Sequence, residues 1–240
     1  MDAIILSAGR GSRMQNHTRE LPKWFLDIDG RRICDIQLAV LSAVVDDIHV
    51  ILGHGFDEQT VDQAPIDGDD VNLHYYSGWR QHENGGSCYF ALDQLDIDDD
   101  LLLVCGDVIF RHEMLENVVE QFEKEAFDDH SAATVIEGVQ DEMTAVTWDE
   151  EQNIVDYGAI RGHQEAGIFI LNQAHIETAK DILSENRDEW FPIIFPQIPT
   201  KPIKIAERDH AEINTPEHLQ QARRKVARQW MVDRPGLNTD

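Results

Sequence analysis

Cysteine is scarce in this chain of 240 residues. It occurs only at Cys34, Cys88 and Cys105, with no CxxC spacing. This excludes a disulfide framework and a zinc ribbon, and an odd count in apolar surroundings predicts reduced, buried thiols in a cytoplasmic protein. The eleven histidines form no HxxxH or HExxH pattern, so no zinc site of that kind is expected. No apolar run approaches the ~20 residues of a membrane-spanning helix, and no basic stretch precedes a long apolar one at the start. No membrane insertion is expected. Positive charge is also scarce: 20 basic against 46 acidic side chains, a formal net charge of −26, and only six lysines. Such a surface repels nucleic acid and anionic lipid, so neither is expected as a partner. The acid excess fits an organism with high internal salt, where a Debye length of ~3 Å at 1 M makes the self-repulsion tolerable.

Apolar residues make up 42% of the chain, enough for a sizeable core. Short apolar runs at 3–6, 48–52, 71–76 and 101–104 predict buried strands, and helical spacing predicts helices over 35–45, 87–95 and 114–126. Strand-like runs follow at 132–139, 144–148, 166–171 and 202–206, with helices over 173–183 and from Pro216 to Val226. Thr215 is the expected N-cap of the last helix, with Pro216 at its first position. Alternation in the first half predicts βαβ units, and consecutive strands in the second half predict a mixed sheet.

The stretch LSAGRGSRM, residues 6–14, runs against the overall charge. Residues 1–32 carry six basic and four acidic side chains, a local +2 in a chain of −26. In α/β sheets ligands sit beyond the carboxyl ends of the strands, where this loop lies. Gly9 and Gly11 allow the backbone to turn its N–H groups toward an anion, and Arg10, Arg13 and Lys23 add charge. The loop lacks the GxxxxGK[ST] of a P-loop, and GxGxxM lacks the third glycine of a dinucleotide fingerprint.

The strand followed by Ala8-Gly9-x-Gly11-x-Arg13-Met14 and then Pro22-Lys23 resembles the opening of the sugar-phosphate and phospho-alcohol nucleotidyltransferase superfamily. Cys105-Gly106-Asp107-Val108 is similar to its "GD" metal site. Glu165-Ala-Gly-Ile-Phe-Ile-Leu is similar to a central strand, and Glu212-Ile-Asn214-Thr-Pro-Glu-His-Leu to its closing acidic element. The resemblance implies a single Rossmann-like α/β domain over residues 1–231, its central mixed, mostly parallel sheet flanked by helices, with 232–240 as a loose tail. It also implies transfer of a nucleoside monophosphate from a nucleoside triphosphate to a sugar 1-phosphate or small phospho-alcohol, with Mg²⁺ and release of pyrophosphate.

On this resemblance Arg13, Lys23 and Asp107 are the catalytic candidates. Leu6, Ala8, Gly9, Arg10, Gly11 and Ser12 would hold the nucleotide, together with Asn84, Gly86 and Ser87 from a glycine-rich loop similar to that of choline-phosphate cytidylyltransferase-like members. CTP is preferred on that ground. Asp107, Glu212 and Asn214 are the metal candidates, Asn214 standing where an acid is often found. Without metal, Asp107 is expected to be an unpaired carboxylate. Gly158, Glu165 and Gly167 are acceptor-side positions by analogy only. The acceptor lysine of many choline-type members is missing at 143–146, as is the sugar-type Glu-Lys-Pro element. Trp79, Trp148, Trp190 and Trp230 are candidates for an aromatic cage or for packing. A glycosyltransferase of similar fold is a rival, against which no DxD ends a strand. A degenerate nucleotide-binding or sensing protein is another. A homodimer is compatible with these features.

Overall fold

The computed structural model describes residues 1–66, 71–124, 127–138, 145–159 and 162–227. The chain runs β1 (Asp2–Ser7), a hairpin of β2 (Asp27–Ile28) and β3 (Arg31–Arg32), α1 (Ile33–Leu41), β4 (Ile48–Leu52), β5 (Val71–Tyr75) and α2 (Asn84–Gln94). It continues through β6 (Leu101–Cys105), β7 (Val108–Phe110), α3 (His112–Phe122), β8 (Ser131–Ile136), β9 (Ala145–Trp148), β10 (Ile154–Ala159) and β11 (His163–Leu171). It ends with α4 (Ile176–Glu185), β12 (Thr200–Lys204), β13 (His210–Glu212) and α5 (Pro216–Lys225). Among the described residues no helix is long and apolar enough to cross a membrane.

Nine strands form the central sheet, in the order β10-β9-β11-β6-β1-β4-β5, with β8 bridging β11 to β12. The pairs β1–β4, β1–β6, β4–β5 and β8–β12 are parallel, and β6–β11, β8–β11, β9–β11 and β9–β10 are antiparallel. The sheet is therefore mixed as expected, but evenly so rather than mostly parallel. Short connections among β9, β10 and β11 leave no room for crossover helices and force antiparallel pairing. Both faces are covered, which is why β1 and β6 read as unbroken apolar runs. Ala3 and Ile5 face α1 and α3, whereas Ile4 and Leu6 face α2, α4 and the 191–198 segment.

Several element bounds differ from expectation. α1 begins two residues early because the Asp35 carboxylate accepts from the Arg32 N–H (3.0 Å) and from its guanidinium. It ends at Leu41, yet Val44 and Val45 still pack on the core from the following turns, which extended the apolar spacing. α2 starts at Asn84 rather than 87, so Gly85 and Gly86 lie in its first turn and not in a loop. The strands β2, β3, β7, β10 and β13 were not anticipated. Thr215 caps α5, accepting from the His218 N–H at 3.3 Å. The expected ends at Ala126, Val139 and Thr144, the Met143–Thr144 stretch, Trp230 and the tail from 232 lie outside the described residues, as does the domain boundary at 231. The three cysteines are free thiols.

Candidate functional site

The turn carrying Asp107 is fixed from below and from both sides. The Trp24 indole donates to Gln37 Oε1 (2.8 Å), and Gln37 Nε2 donates to the carbonyls of Cys105 (2.9 Å) and Val108 (2.7 Å), pinning α1 beneath the β6–β7 turn. These groups are buried, and buried polar atoms left without such partners cost about 1–3 kcal/mol each. The Gly106 N–H donates to the Leu6 carbonyl at 2.9 Å, so the turn rides against the end of β1. A Cβ at Gly106 would fall 2.7 Å from the Ser7 side chain, which requires glycine there. β13 pairs antiparallel with β7, Glu212 opposite Val108, and the Ile213 N–H donates to the Asp107 carbonyl at 2.8 Å. That pairing brings Glu212 and Asn214 to Asp107 across a hundred residues of chain.

The loop after β1 meets the same point. Gly11 adopts φ +62°, and a Cβ there would lie 2.6 Å from Cγ of Lys23. The lysine stem thus runs along the glycine, and its ammonium reaches Asp107 Oδ2 at 2.6 Å and Asn214 Oδ1 at 2.7 Å. Arg13 donates to the same Asn214 oxygen at 2.7 Å, while the Asn214 amide donates to Glu212. Asp107 is therefore paired and not the unpaired carboxylate expected from sequence. The amide at Asn214 explains its own identity: it accepts from two cations and donates to a carboxylate, which an aspartate cannot do.

These groups form one end of a cavity of about 580 Å³. Leu6, Ala8, Gly9, Arg10, Gly11 and Ser12 line it with Arg13, Lys23, Asp107, Glu212 and Asn214. Nothing lies within 4 Å of where a Gly9 Cβ would stand, so the backbone there is open to the cavity. Glu165 also lines it and accepts from the Gly167 N–H. Burial, with Glu212 and Asp107 nearby, pushes the Glu165 carboxyl up to about 8. Burial and then Asp107 push Glu212 up to about 7, against the pull of Lys23 and Arg13. Both shifts come first from burial, which disfavours a charged carboxylate.

A second wall is aromatic. Tyr76, Trp79, Arg80, His82, Tyr157 and Trp190 line it, and of these the sequence drew attention only to Trp79 and Trp190. Trp79 packs against Gly53, and the Arg80 guanidinium lies 4.6 Å over its ring. The WR pair beside a glycine-rich stretch was the available signal. Asn84 and Ser87 line the wall, but the Asn84 Oδ1 accepts from the Phe191 N–H (2.8 Å) and the Ser87 hydroxyl donates to the Asn84 carbonyl (3.0 Å). Gly86 sits behind Tyr76 and His82 rather than on the cavity surface. Gly167, φ +70°, packs under Val108 and Cys105, and Gly158, φ +90°, lies in β10 beside the lining Tyr157. Trp148 is elsewhere, stacked on His163 at 4.1 Å.

Residues 3–212 match the MobA-like NTP transferase domain. The chain belongs to that family. Among curated relatives, the bifunctional protein GlmU of Methanocaldococcus jannaschii is 30% identical over 159 residues, which are 65% of this chain and 35% of that one. The UTP–glucose-1-phosphate uridylyltransferase AglF of Haloferax volcanii is 30% identical over 169 residues, 67% of this chain and 63% of that one. This member of the MobA-like family thus spans about a third of the first relative and under two thirds of the second. The CTP:phosphocholine cytidylyltransferase LicC of Streptococcus pneumoniae shares the fold, with a TM-score of 0.74 at 15% identity over 94% of this chain and 98% of that one.

Proposed function

We propose that this chain transfers a nucleoside monophosphate, CMP by preference, from a nucleoside triphosphate to a sugar 1-phosphate or small phospho-alcohol, releasing pyrophosphate. The observation that carries this reading is the convergence of Arg13 and Lys23 with Asp107 and Glu212 at one end of a single cavity, beside the open backbone of Gly9. Two anionic substrates and a developing negative charge need such cations, and the chemistry asks mainly for positioning and electrostatics.

The backbone of Gly9–Ser12 and the Arg13 guanidinium take the β- and γ-phosphates, and Lys23 moves onto the α-phosphate. An oxygen of the phosphomonoester forms the new bond to the α-phosphorus. The bond from that phosphorus to the bridging oxygen breaks on the opposite side, and pyrophosphate carries the electron pair away. Glu165, Tyr157 and Trp190 face the acceptor.

The donor set fits Mg²⁺. Among the described residues no three His, Cys, Asp or Glu side chains gather for a metal, but Mg²⁺ on a nucleotide is ordinarily held by one or two carboxylates plus phosphates. Asp107 and Glu212 are two hard carboxylates, linked through the Lys23 ammonium on Asp107 and the Asn214 amide on Glu212, so a cation already lies on Asp107. Asp107 with Glu212 or Asn214 would hold the ion, which when bound supplies charge neutralisation to the triphosphate.

A matrix of four ribonucleoside triphosphates and dTTP against sugar 1-phosphates and phospho-alcohols, read by pyrophosphate release with Mg²⁺, tests the reading. LicC is named for CTP and AglF for UTP, so the matrix decides the base. The expected result is EDTA-sensitive release with one base and one acceptor class. Nucleotide binding without release from any pair would make the chain a nucleotide-binding protein.

A further inference from the structure

The Lys23 ammonium lies 2.6 Å from Asp107 Oδ2 and 2.7 Å from Asn214 Oδ1, the oxygens that the proposed function assigns to Mg²⁺. Lys23 is 9% exposed and its stem is clamped along Gly11, so this is a seated contact and not a surface ion pair. An ion bound at ~2.1 Å from Asp107 Oδ2 would stand no farther than about 4.7 Å from the Lys23 nitrogen while that contact persists. At such a separation a divalent cation and an ammonium repel, and more strongly in a partly buried site than in open water. Both also draw on the same few lone pairs. Asn214 Oδ1 already accepts from Lys23 and from Arg13, which fills its two acceptor positions.

We infer that Lys23 is a placeholder for the metal: it occupies the cation position of the nucleotide-free protein, so that a divalent ion binds well only after a triphosphate has drawn the ammonium away from Asp107. The lysine then has two successive partners. Asp107 and Asn214 hold it before substrate binds, and the nucleotide's phosphate holds it afterwards. A flexible four-carbon stem carrying a point charge suits such a move better than the broad, rigid fork of an arginine. Metal and nucleotide consequently bind with positive coupling, each improving the affinity for the other by the same factor. The device also keeps Asp107 and Glu212 from facing one another without a countercharge when the site holds no ligand, since the Lys23 ammonium lies on Asp107.

This inference rests on the functional reading but has its own readout, Mn²⁺ binding without nucleotide and without turnover. Nucleotide-free protein is titrated with Mn²⁺ alone, and free Mn²⁺ is followed by electron paramagnetic resonance. The wild type is expected to bind weakly. Lys23→Met keeps the length of the stem and removes the charge; it is expected to bind Mn²⁺ at least about tenfold more tightly, within the usual range of coupling between two sites. Lys23→Met combined with Asp107→Asn is expected to lose that gain. Lys23→Gln, which can still hydrogen-bond Asp107, repeats the measurement should the Met variant not fold by circular dichroism. Equal Mn²⁺ affinity in the wild type and in the folded uncharged variant would overturn the inference. So would a gain that survives Asp107→Asn, because the ion would then lie elsewhere. Absence of pyrophosphate release in the substrate matrix, with the Mn²⁺ gain intact, would remove the proposed reaction and leave the placeholder standing.

Discussion

The two ends of the cavity are built by different means. At one end, Arg13, Lys23, Asp107, Glu212 and Asn214 are joined by side-chain hydrogen bonds, and four of the five are charged. At the other, Tyr76, Trp79, His82 and Trp190 form a wall held by packing, by a Tyr76–His82 hydrogen bond and by contacts between α2 and the backbone of the 186–191 segment. The first end is defined by the hydrogen bonds among its charged atoms, the second by how distant pieces of chain lean on each other. Substitutions at the charged end should therefore change function with little loss of fold. Substitutions in the wall should change the fold first.

The largest expected effect is Asp107→Asn. The variant keeps the shape and a carbonyl oxygen and loses the charge that balances Lys23 or a metal ion. Turnover should fall at least about a hundredfold, in line with the loss of one preorganised electrostatic group. Its melting temperature should change little, since the amide oxygen of the variant still accepts from the Lys23 ammonium, which also keeps its bond to Asn214. Near-normal turnover at low Mg²⁺, or failure to fold, would erase the contrast between the two ends.

Gly85→Val is the converse case. A Cβ at Gly85 would lie 2.5 Å from the Glu189 carbonyl oxygen and 2.9 Å from that of Asn186, and both are backbone atoms with no rotamer to yield. Gly85 also donates its N–H to Glu189 at 3.0 Å, so the strands of contact cannot simply separate. Overpacking of this kind costs about 1–3 kcal/mol. Urea or thermal unfolding should register that loss in full. A variant as stable as the wild type would show that the wall is looser than its contacts imply.

This contrast also explains what was legible in the sequence. The charged end was readable because its residue types answer to chemistry and stand in compact stretches: a glycine loop with Arg13, then Pro22-Lys23, then Gly106-Asp107. Positive charge kept within residues 1–32 of so acidic a chain pointed the same way. The strands β1, β4 and β6 were readable because burial on both faces leaves nearly continuous apolar runs, whereas β5, Val71–Tyr75, is only partly buried and alternates apolar with polar residues. The wall was not. Gly85 and Gly86 suggested a loop, but they are glycines because Glu189, Tyr76 and His82 approach a helix start too closely for any side chain, and sequence carries no record of those neighbours. β7 and β13, at three residues each, exist through pairing with one another across the chain. The Lys23–Asp107 contact was hidden for the same reason: each residue was assigned to phosphate or metal, and their shared position emerges only when β13 and the β1 loop meet.

Arg13→Ala tests the charged end more gently. The side chain is exposed apart from its bond to Asn214, so the fold should tolerate its loss. Nucleotide affinity should weaken by roughly 1.5–3 kcal/mol, the range for a charge-assisted contact to phosphate. Calorimetry with a nonhydrolysable nucleotide and Mg²⁺ measures it directly, and a melt within about 0.5 kcal/mol of wild type should accompany it. Unchanged affinity would reduce Arg13 to a surface group that only steadies Asn214.

Asn84→Ala carries the smallest expected effect and divides the two ends most finely. Asn84 lines the cavity, and its Oδ1 accepts from the Phe191 N–H at 2.8 Å. Phe191 is fully buried and stands edge-on to Phe169 at 5.1 Å, so that hydrogen bond anchors the start of the segment bearing Trp190 and Pro192. Removing a partner of a partly buried backbone N–H costs about 1 kcal/mol. If Asn84 belongs to the wall, the variant should lose about that much stability while nucleotide affinity moves less than threefold. If it reads the base, affinity should fall tenfold or more, and for the preferred nucleotide above the others, with the melt nearly unchanged. Measuring both quantities on the one variant separates these outcomes, because a lost anchor acts on every nucleotide alike and a lost base contact does not.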